Sequence, residues 1–185
     1  RTEVGKRERS KGPRLLNALT LAISHRERKM AMFHIERLTT SEQLAAIRDD
    51  WDRLSDDLPF RAYGWHANWW KHFQIDGAQL YVLAARDEQD DVVGIAPWFA
   101  QQHSTQGRVL AFLGLGDVCS DYQTILADAR CADAVAAACA DWLTAAAGDP
   151  EHHWDTLLLE AMPACDTTMN SFVGHLWSGG SKIHR

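Results

Sequence analysis

Two apolar runs, residues 80–85 (LYVLAA) and 92–99 (VVGIAPWF), are separated only by a short stretch centred on the acidic segment 87–91 (DEQDD). A connection this short and polar has no room for a crossover helix. The two runs must therefore pair antiparallel, as a β-hairpin with a solvated turn. That pairing excludes a strictly alternating, doubly wound parallel sheet. Pro97 lies inside the second run. A residue without an N–H belongs at a strand end, a bulge or an unpaired edge position.

The flanking segments extend the hairpin into a domain. Residues 33–38 (FHIERL) alternate Phe33 and Ile35 on one face, which predicts a short first strand. The tetrapeptide TTSE at 39–42 has the form of a capping box, a hydroxyl followed three residues later by a carboxylate. The helix it opens carries Leu44, Ile47, Trp51, Leu54 and Leu58 on one stripe and Arg48, Asp49, Asp52, Arg53 and Asp56 on the other, and Pro59 ends it. A second helix follows Gly64, with Trp65, Trp69 and Phe73 one turn apart on its inner side. Residues 108–115 predict another strand and 122–126 a short one. Residues 131–147 predict an alanine-rich helix with Val135, Cys139, Trp142 and Ala146 facing inward, stopped by GDP at 148–150. Residues 154–162 (WDTLLLEAM) read as a buried strand ended by Pro163, and 166–177 as a helix that gathers Met169, Phe172 and Leu176. The order predicts a mixed α/β (α+β) fold, a mostly antiparallel sheet flanked by helices. The late strand-helix-strand passage leaves room for one parallel neighbour.

Charge divides the chain. The total is −6 over 185 residues, yet residues 1–30 hold nine Lys/Arg against three Asp/Glu, and the remainder ten against twenty-two. The acidic bulk argues against a nucleic-acid partner, and the basic arm has no aromatic residue between its charges. Residues 15–23 (LLNALTLAI) imitate the apolar part of a secretory signal, but Asn17 and Thr20 interrupt them. The run is also far short of the roughly 20 apolar residues that span a bilayer. We read 1–32 as a disordered leader ahead of a start at Met30 or Met32, 33–178 as the folded domain and 179–185 as a tail. The expected location is cytoplasmic, with no transmembrane segment.

Cysteines at 119, 131, 139 and 165 show no C-x-x-C and no matching histidine spacing, so buried thiols in a reducing compartment explain them better than a metal. His152 and His153 beside Glu151 suit a solvated loop. There is no G-x-S-x-G elbow and no Walker A loop, and Gly114 and Gly116 read as a turn at a strand end. Two places remain as candidate sites. Core packing explains the aromatic cluster around Trp65 and Trp69 more readily than stacking on the apolar face of a sugar, but Trp70 falls off the inner stripe and is the better candidate for an exposed, ligand-contacting ring. Asp121 and Tyr122 follow the glycine turn, where a carboxylate and a phenol can position a nucleophile or handle a proton. A loop Asp is equally a common turn former.

Taken together, several segments resemble the CelD/BcsL group of acetyltransferase-like proteins in the GNAT superfamily, which is associated with bacterial cellulose biosynthesis. They are WDRL at 51–54, PF at 59–60 ahead of GW at 64–65, Trp69, residues 80–86, VGIAP at 93–97, FLG at 112–114 with SDY at 120–122, and WDTL at 154–157. The likeness spans about residues 33–163. It implies a GNAT-like sheet and acyl transfer from acetyl-CoA or another acyl-CoA to an amine or hydroxyl of a small-molecule or saccharide acceptor. In such enzymes a splayed strand offers N–H groups to the thioester, and a helix N-terminus holds the pyrophosphate. This sequence departs from the pattern in two ways, the first being that residues 117–131 contain no glycine where the pyrophosphate loop is expected. The second is extent, since members of the group resemble tandem GNAT-like proteins. The resemblance therefore also implies an N-terminal portion, incomplete at its C-terminus, that lacks a second GNAT-like unit and is weak or inactive alone. The other reading the residues leave open is a non-catalytic binding or interaction module of a larger two-unit protein.

Overall fold

β2 (Gln79–Arg86) and β3 (Val92–His103) form the hairpin required by the sequence, in register from Gln79 opposite Ala100 to Arg86 opposite Val92, with an irregularity after Ala85. The structure is a computed structural model that describes residues 33–116, 118 and 120–182. Residues 1–32, where the leader is expected, Asp117, Cys119 and the last three residues lie outside the described residues. In the hairpin turn the Asp87 carboxylate accepts the N–H groups of Gln89 and Asp91, both at 3.0 Å, so the acidic connection is an ordered turn.

The remaining strands build outward from this pair. β1 (His34–Leu38) lies antiparallel on β2, and β4 (Gly107–Phe112) antiparallel on β3. β6 (Thr156–Leu158) joins the far side of β4 in parallel, and the two-residue β5 (Leu126–Ala127) pairs with the start of β3. The sheet order is β1-β2-β3-β4-β6, with β5 off the path. The fold is thus mixed α/β, a mostly antiparallel six-stranded sheet flanked by helices.

Both faces of the sheet are covered. On one side α1 (Ser41–Ala46), α2 (Arg48–Leu54) and α3 (Tyr63–Phe73) bury Leu44, Ile47, Trp51, Leu54 and Trp69 against Val82, Ile95 and Phe99. On the other, α4 (Ala132–Ala146) and α5 (Thr167–Ser178) bury Val135, Cys139, Leu143, Phe172 and Leu176 against Tyr81, Leu83, Trp98 and Phe112. Double coverage explains why β2 and β3 read as continuous apolar runs instead of alternating ones. Gly94 is part of this fit, because a Cβ there would collide with the Val135 side chain of α4. Pro97 occupies the middle of β3, opposite Val82. Its other edge faces the gap between β5, which reaches Ile95, and β4, whose ladder starts at Trp98. The carbonyl of Pro97 accepts Leu113 N at 2.8 Å across that gap, and no strand there asks for the N–H that proline lacks.

Several elements differ from the sequence expectation for local reasons. The long first helix is two helices, broken at Ile47 (φ −105°, ψ 17°), whose N–H makes a tight bond to Leu44 O at 3.3 Å. It ends at Leu54, well before Pro59, because Asp56 and Asp57 adopt left-handed φ values of 54° and 57°; Leu58 is left half-buried outside it. The capping box is shifted by one residue. Thr40 Oγ1 accepts Gln43 N at 3.2 Å, and the Gln43 side-chain oxygen accepts Thr40 N at 3.1 Å. In α3 the inner stripe is His66 and Trp69, whereas Phe73 is 50 % exposed. In α4, Leu143 takes the inner place assigned to Trp142, which packs edge-on against Tyr81 at 5.9 Å. The strand expected over 154–162 is only Thr156–Leu158. Trp154 is tied away by its Nε1 donating to Leu143 O at 2.8 Å, and Ala161 is left-handed (φ 57°). The short strand expected over 122–126 begins only at Leu126, after a left-handed Tyr122.

Candidate functional site

β4 and β6 pair over three residues, from Val109 opposite Thr156 to Ala111 opposite Leu158, and then part. β4 bends toward β3 through the Leu113–Pro97 bond and turns at Gly114 (φ 97°). Ser120 returns to this turn, its N–H and its hydroxyl both donating to Gly114 O at 3.2 and 2.7 Å. Gln123 N donates to Ala161 O at 3.0 Å on the other side. Residues 120–123 therefore bridge the two diverging chains. The bridge holds two non-glycine residues in left-handed conformations, Tyr122 (φ 61°) and Ala161 (φ 57°). Each costs on the order of 1–2 kcal/mol. Arg61 Nε donates to Tyr122 O at 2.9 Å and helps to hold that geometry.

Behind the bridge, α3 supplies a polar cluster in the core. Trp65 Nε1 donates to Ser120 Oγ at 2.7 Å, and the His66 imidazole packs 5.3 Å from the Trp51 ring. His66, Ser120 and Gln123 are all buried. His66 Nδ1 lies 3.2 Å from Ala62 O, which makes Nδ1 the protonated nitrogen and Nε2 an acceptor. Nε2 of His66 and the amide nitrogen of Gln123 are buried without hydrogen-bond partners. Burial pushes the His66 pKa from 6.5 down to about 4, against the opposing effects of Ala62 O and Gln123. Sequence reasoning passed over this histidine. Its one signal was position: it stands three residues from both Tyr63 and Trp69, in step with the apolar face.

Of the residues singled out from sequence, Asp121 and Tyr122 sit side by side on the bridge with exposed side chains, Tyr122 at 52 %. Trp70 lies near the C-terminal end of α3, half-buried, 6.4 Å from the Phe99 ring. It lines a cavity of about 500 Å³ with Arg37, Thr39, Thr40, Gln79 and Leu80, and neither Asp121 nor Tyr122 borders that space. A second cavity of about 240 Å³ opens beside Arg61 and the α5 N-cap residue Asp166. Its guanidinium stands 3.6 Å from Asp56 and 3.7 Å from Asp166, so the cation is already shared by two carboxylates.

The residues between β4 and α4 do not fit a coenzyme A pyrophosphate. They contain no glycine over 117–131, and at the entry to α4 the guanidinium of Arg130 is clasped by Asp128 at 2.6 and 3.0 Å. Those bonds, with a backbone N–H of Arg130, hold the Asp128 carboxyl far below the usual carboxylate range. Among the described residues no group of three or more His, Cys, Asp or Glu is placed to hold a metal ion. Nor is any described helix long and apolar enough to cross a membrane. The site thus belongs to a mixed α/β domain with a bridged strand fork on one side of α3 and an open cavity beside Trp70. No protein-family model, curated protein or solved structure matches the chain.

Proposed function

We propose that residues 33–178 form a GNAT-like unit of an acyl-CoA-dependent acyltransferase serving cellulose or exopolysaccharide synthesis. The observation that carries this reading is the fork. An antiparallel four-strand meander with three helices after its first strand meets a parallel fifth strand and parts from it after three residues. A parted pair of this kind can offer backbone groups to a thioester carbonyl once the Gly114–Ser120–Gln123–Ala161 bridge across it opens. Asp121 and Tyr122 stand on the segment that spans the fork, where the carboxylate is the group to take a proton from an amine or hydroxyl acceptor. With no pyrophosphate cradle ahead of α4, the unit acts weakly alone and works with a second GNAT-like unit.

A second reading has its own supporting observation. The bridge from Gly114 through Ser120 and Gln123 to Ala161 fills the fork with the chain's own hydrogen bonds, which suits a non-catalytic binding module. Calorimetric titration with acetyl-CoA separates the two. Saturable heat with one molecule per chain, accompanied by a rise in melting temperature, supports the transferase. Absence of both up to millimolar ligand sinks it for this chain and leaves the binding module.

A further inference from the structure

We infer that Arg37 and Arg108 form a binding site for a dianionic phosphate group on the Tyr81 face of the sheet. The described residues include seven arginines. Five of them, Arg48, Arg53, Arg61, Arg86 and Arg130, stand 3.9 Å or less from an aspartate or glutamate oxygen. Arg37 and Arg108 are the two with no such partner among the described residues, and they are also the two that meet. Both guanidiniums lie over the same Tyr81 ring, 5.1 and 5.9 Å from its centroid. Both donate Nη1 to one acceptor, Glu151 O, at 3.3 and 3.5 Å. Two cations gathered on one carbonyl repel each other, and an anion between them relieves that repulsion. The domain is rich in carboxylates, yet none is spent on this pair.

The surroundings hold the two forks in place and leave donors free. Each guanidinium carries five N–H groups, and these bonds use a minority of them. Arg108 Nη2 donates to Gln79 Oε1 at 3.0 Å, which leaves the amide N–H groups of the exposed Gln79 side chain as further donors. The Tyr81 hydroxyl donates to His152 O at 2.6 Å, and burial pushes its pKa up to about 12, so the floor of the site is uncharged. The nearest carboxylates are turned to backbone groups. Asp149 accepts Glu151 N at 2.7 Å and His152 N at 3.1 Å, and Asp155 accepts Arg108 N at 2.7 Å. Forks fixed before a ligand arrives bind an oxyanion without the ordering cost of mobile side chains. Two of them, approaching from β1 and β4, match a tetrahedral group with two charges better than a planar carboxylate with one. Arg37 and Gln79 border the open cavity, so the site is reachable. Trp70 packs toward Phe99 on the opposite face of the sheet and takes no part.

The site needs neither acyl-CoA nor the fork, which opens at the end of β4 while Arg108 stands at its start. Inorganic phosphate and glycerol phosphate are titrated into the chain at fixed ionic strength, with heat and melting temperature followed. Saturable binding of one anion per chain is expected. Arg37→Gln and Arg108→Gln should each weaken it about ten-fold or more, and Arg108→Lys, which keeps the charge and loses the fork, by a smaller factor. Arg48→Gln removes the same charge at an exposed position on α2 and should leave binding unchanged. Melting without phosphate shows which variants fold, and Arg108→Lys against Arg48→Gln carries the comparison if the glutamine variants do not. No saturable binding by the unaltered chain overturns the inference. So does unchanged affinity in the folded Arg37 and Arg108 variants, a matching loss in Arg48→Gln, or acetate bound as tightly as phosphate. Binding of both probes upholds the site for phosphate esters, and binding of inorganic phosphate alone upholds it for the free ion.

Discussion

Replacing His66 by glutamine should flatten the dependence of stability on pH between 6.5 and about 4. The unfolded imidazole takes its proton near 6.5, while the folded one, desolvated in the core, waits until about 4. Between these values the unfolded state holds the extra proton, so stability falls as the pH falls. The slope is about 1.4 kcal/mol per pH unit and the whole interval amounts to about 3 kcal/mol. Above 6.5 both states are neutral and below about 4 both are charged, so this residue adds no slope outside the window. Its neighbours are the Trp51 indole, the Ala62 carbonyl and the Gln123 amide, all uncharged, so no ion pair offsets the cost of charging it. Glutamine is the informative replacement because its amide can still donate to Ala62 O without titrating. Urea denaturation of both proteins, near neutrality and near pH 4, gives the difference, and the other histidines and carboxylates cancel. Parallel pH profiles for the two proteins would show that His66 is not buried as a neutral group, and the reasoning about the cluster behind the bridge would fall with it.

Two further perturbations probe the packing. Trp51 is fully buried and its Nε1 donates to Arg61 O at 3.0 Å, so Trp51→Ala should cost about 3–5 kcal/mol for the ring. It should cost about 1 kcal/mol more for the bond, and a change under about 1 kcal/mol in urea denaturation would contradict the packing. Gly114→Ala places a Cβ 2.5 Å from Ser120 Oγ at a φ of 97°, so it should destabilise by about 1–3 kcal/mol and displace the bridge, seen as faster amide exchange at Ser120 and Gln123; unchanged exchange would refute the bridge.

Much of this architecture is legible in the sequence, wherever a side chain's fate depends on its near neighbours. The hairpin follows from the brevity of the 87–91 connection, and the Leu44, Ile47, Trp51 and Leu54 stripe from helical spacing alone. The α5 face of Met169, Phe172 and Leu176 is equally direct. What periodicity cannot see is a competition decided by distant groups. Residues 154–162 have an unbroken strand composition, yet Trp154 finds its partner on α4 and Ala161 serves the bridge. His66 looks polar in a composition count but fills an apolar slot. Phe73 looks apolar, yet it is left half in water. The candidate residues were found as types and not as a constellation. Asp121 and Tyr122 belong to the bridge and Trp70 to a separate cavity, because one helix spans both places and sequence distance does not record which end of it each loop meets.

The double coverage of β3 has a consequence for how the sheet finds its alignment. A strand with one wet face cannot slide by a residue, since its apolar side chains would turn outward. β3 lacks that safeguard, because both of its faces are apolar and a slipped strand would still look oily on either side. Alignment must then be written at particular positions. Gly94 is the only place along the strand where Val135 finds the room it occupies, and a shift by one would put Val93 or Ile95 beneath it. Pro97 must lie across from the gap between β4 and β5, because under either ladder it would strand a carbonyl without a donor. The two residues that look least like strand formers act as the teeth that keep the most continuous strand of the protein in step.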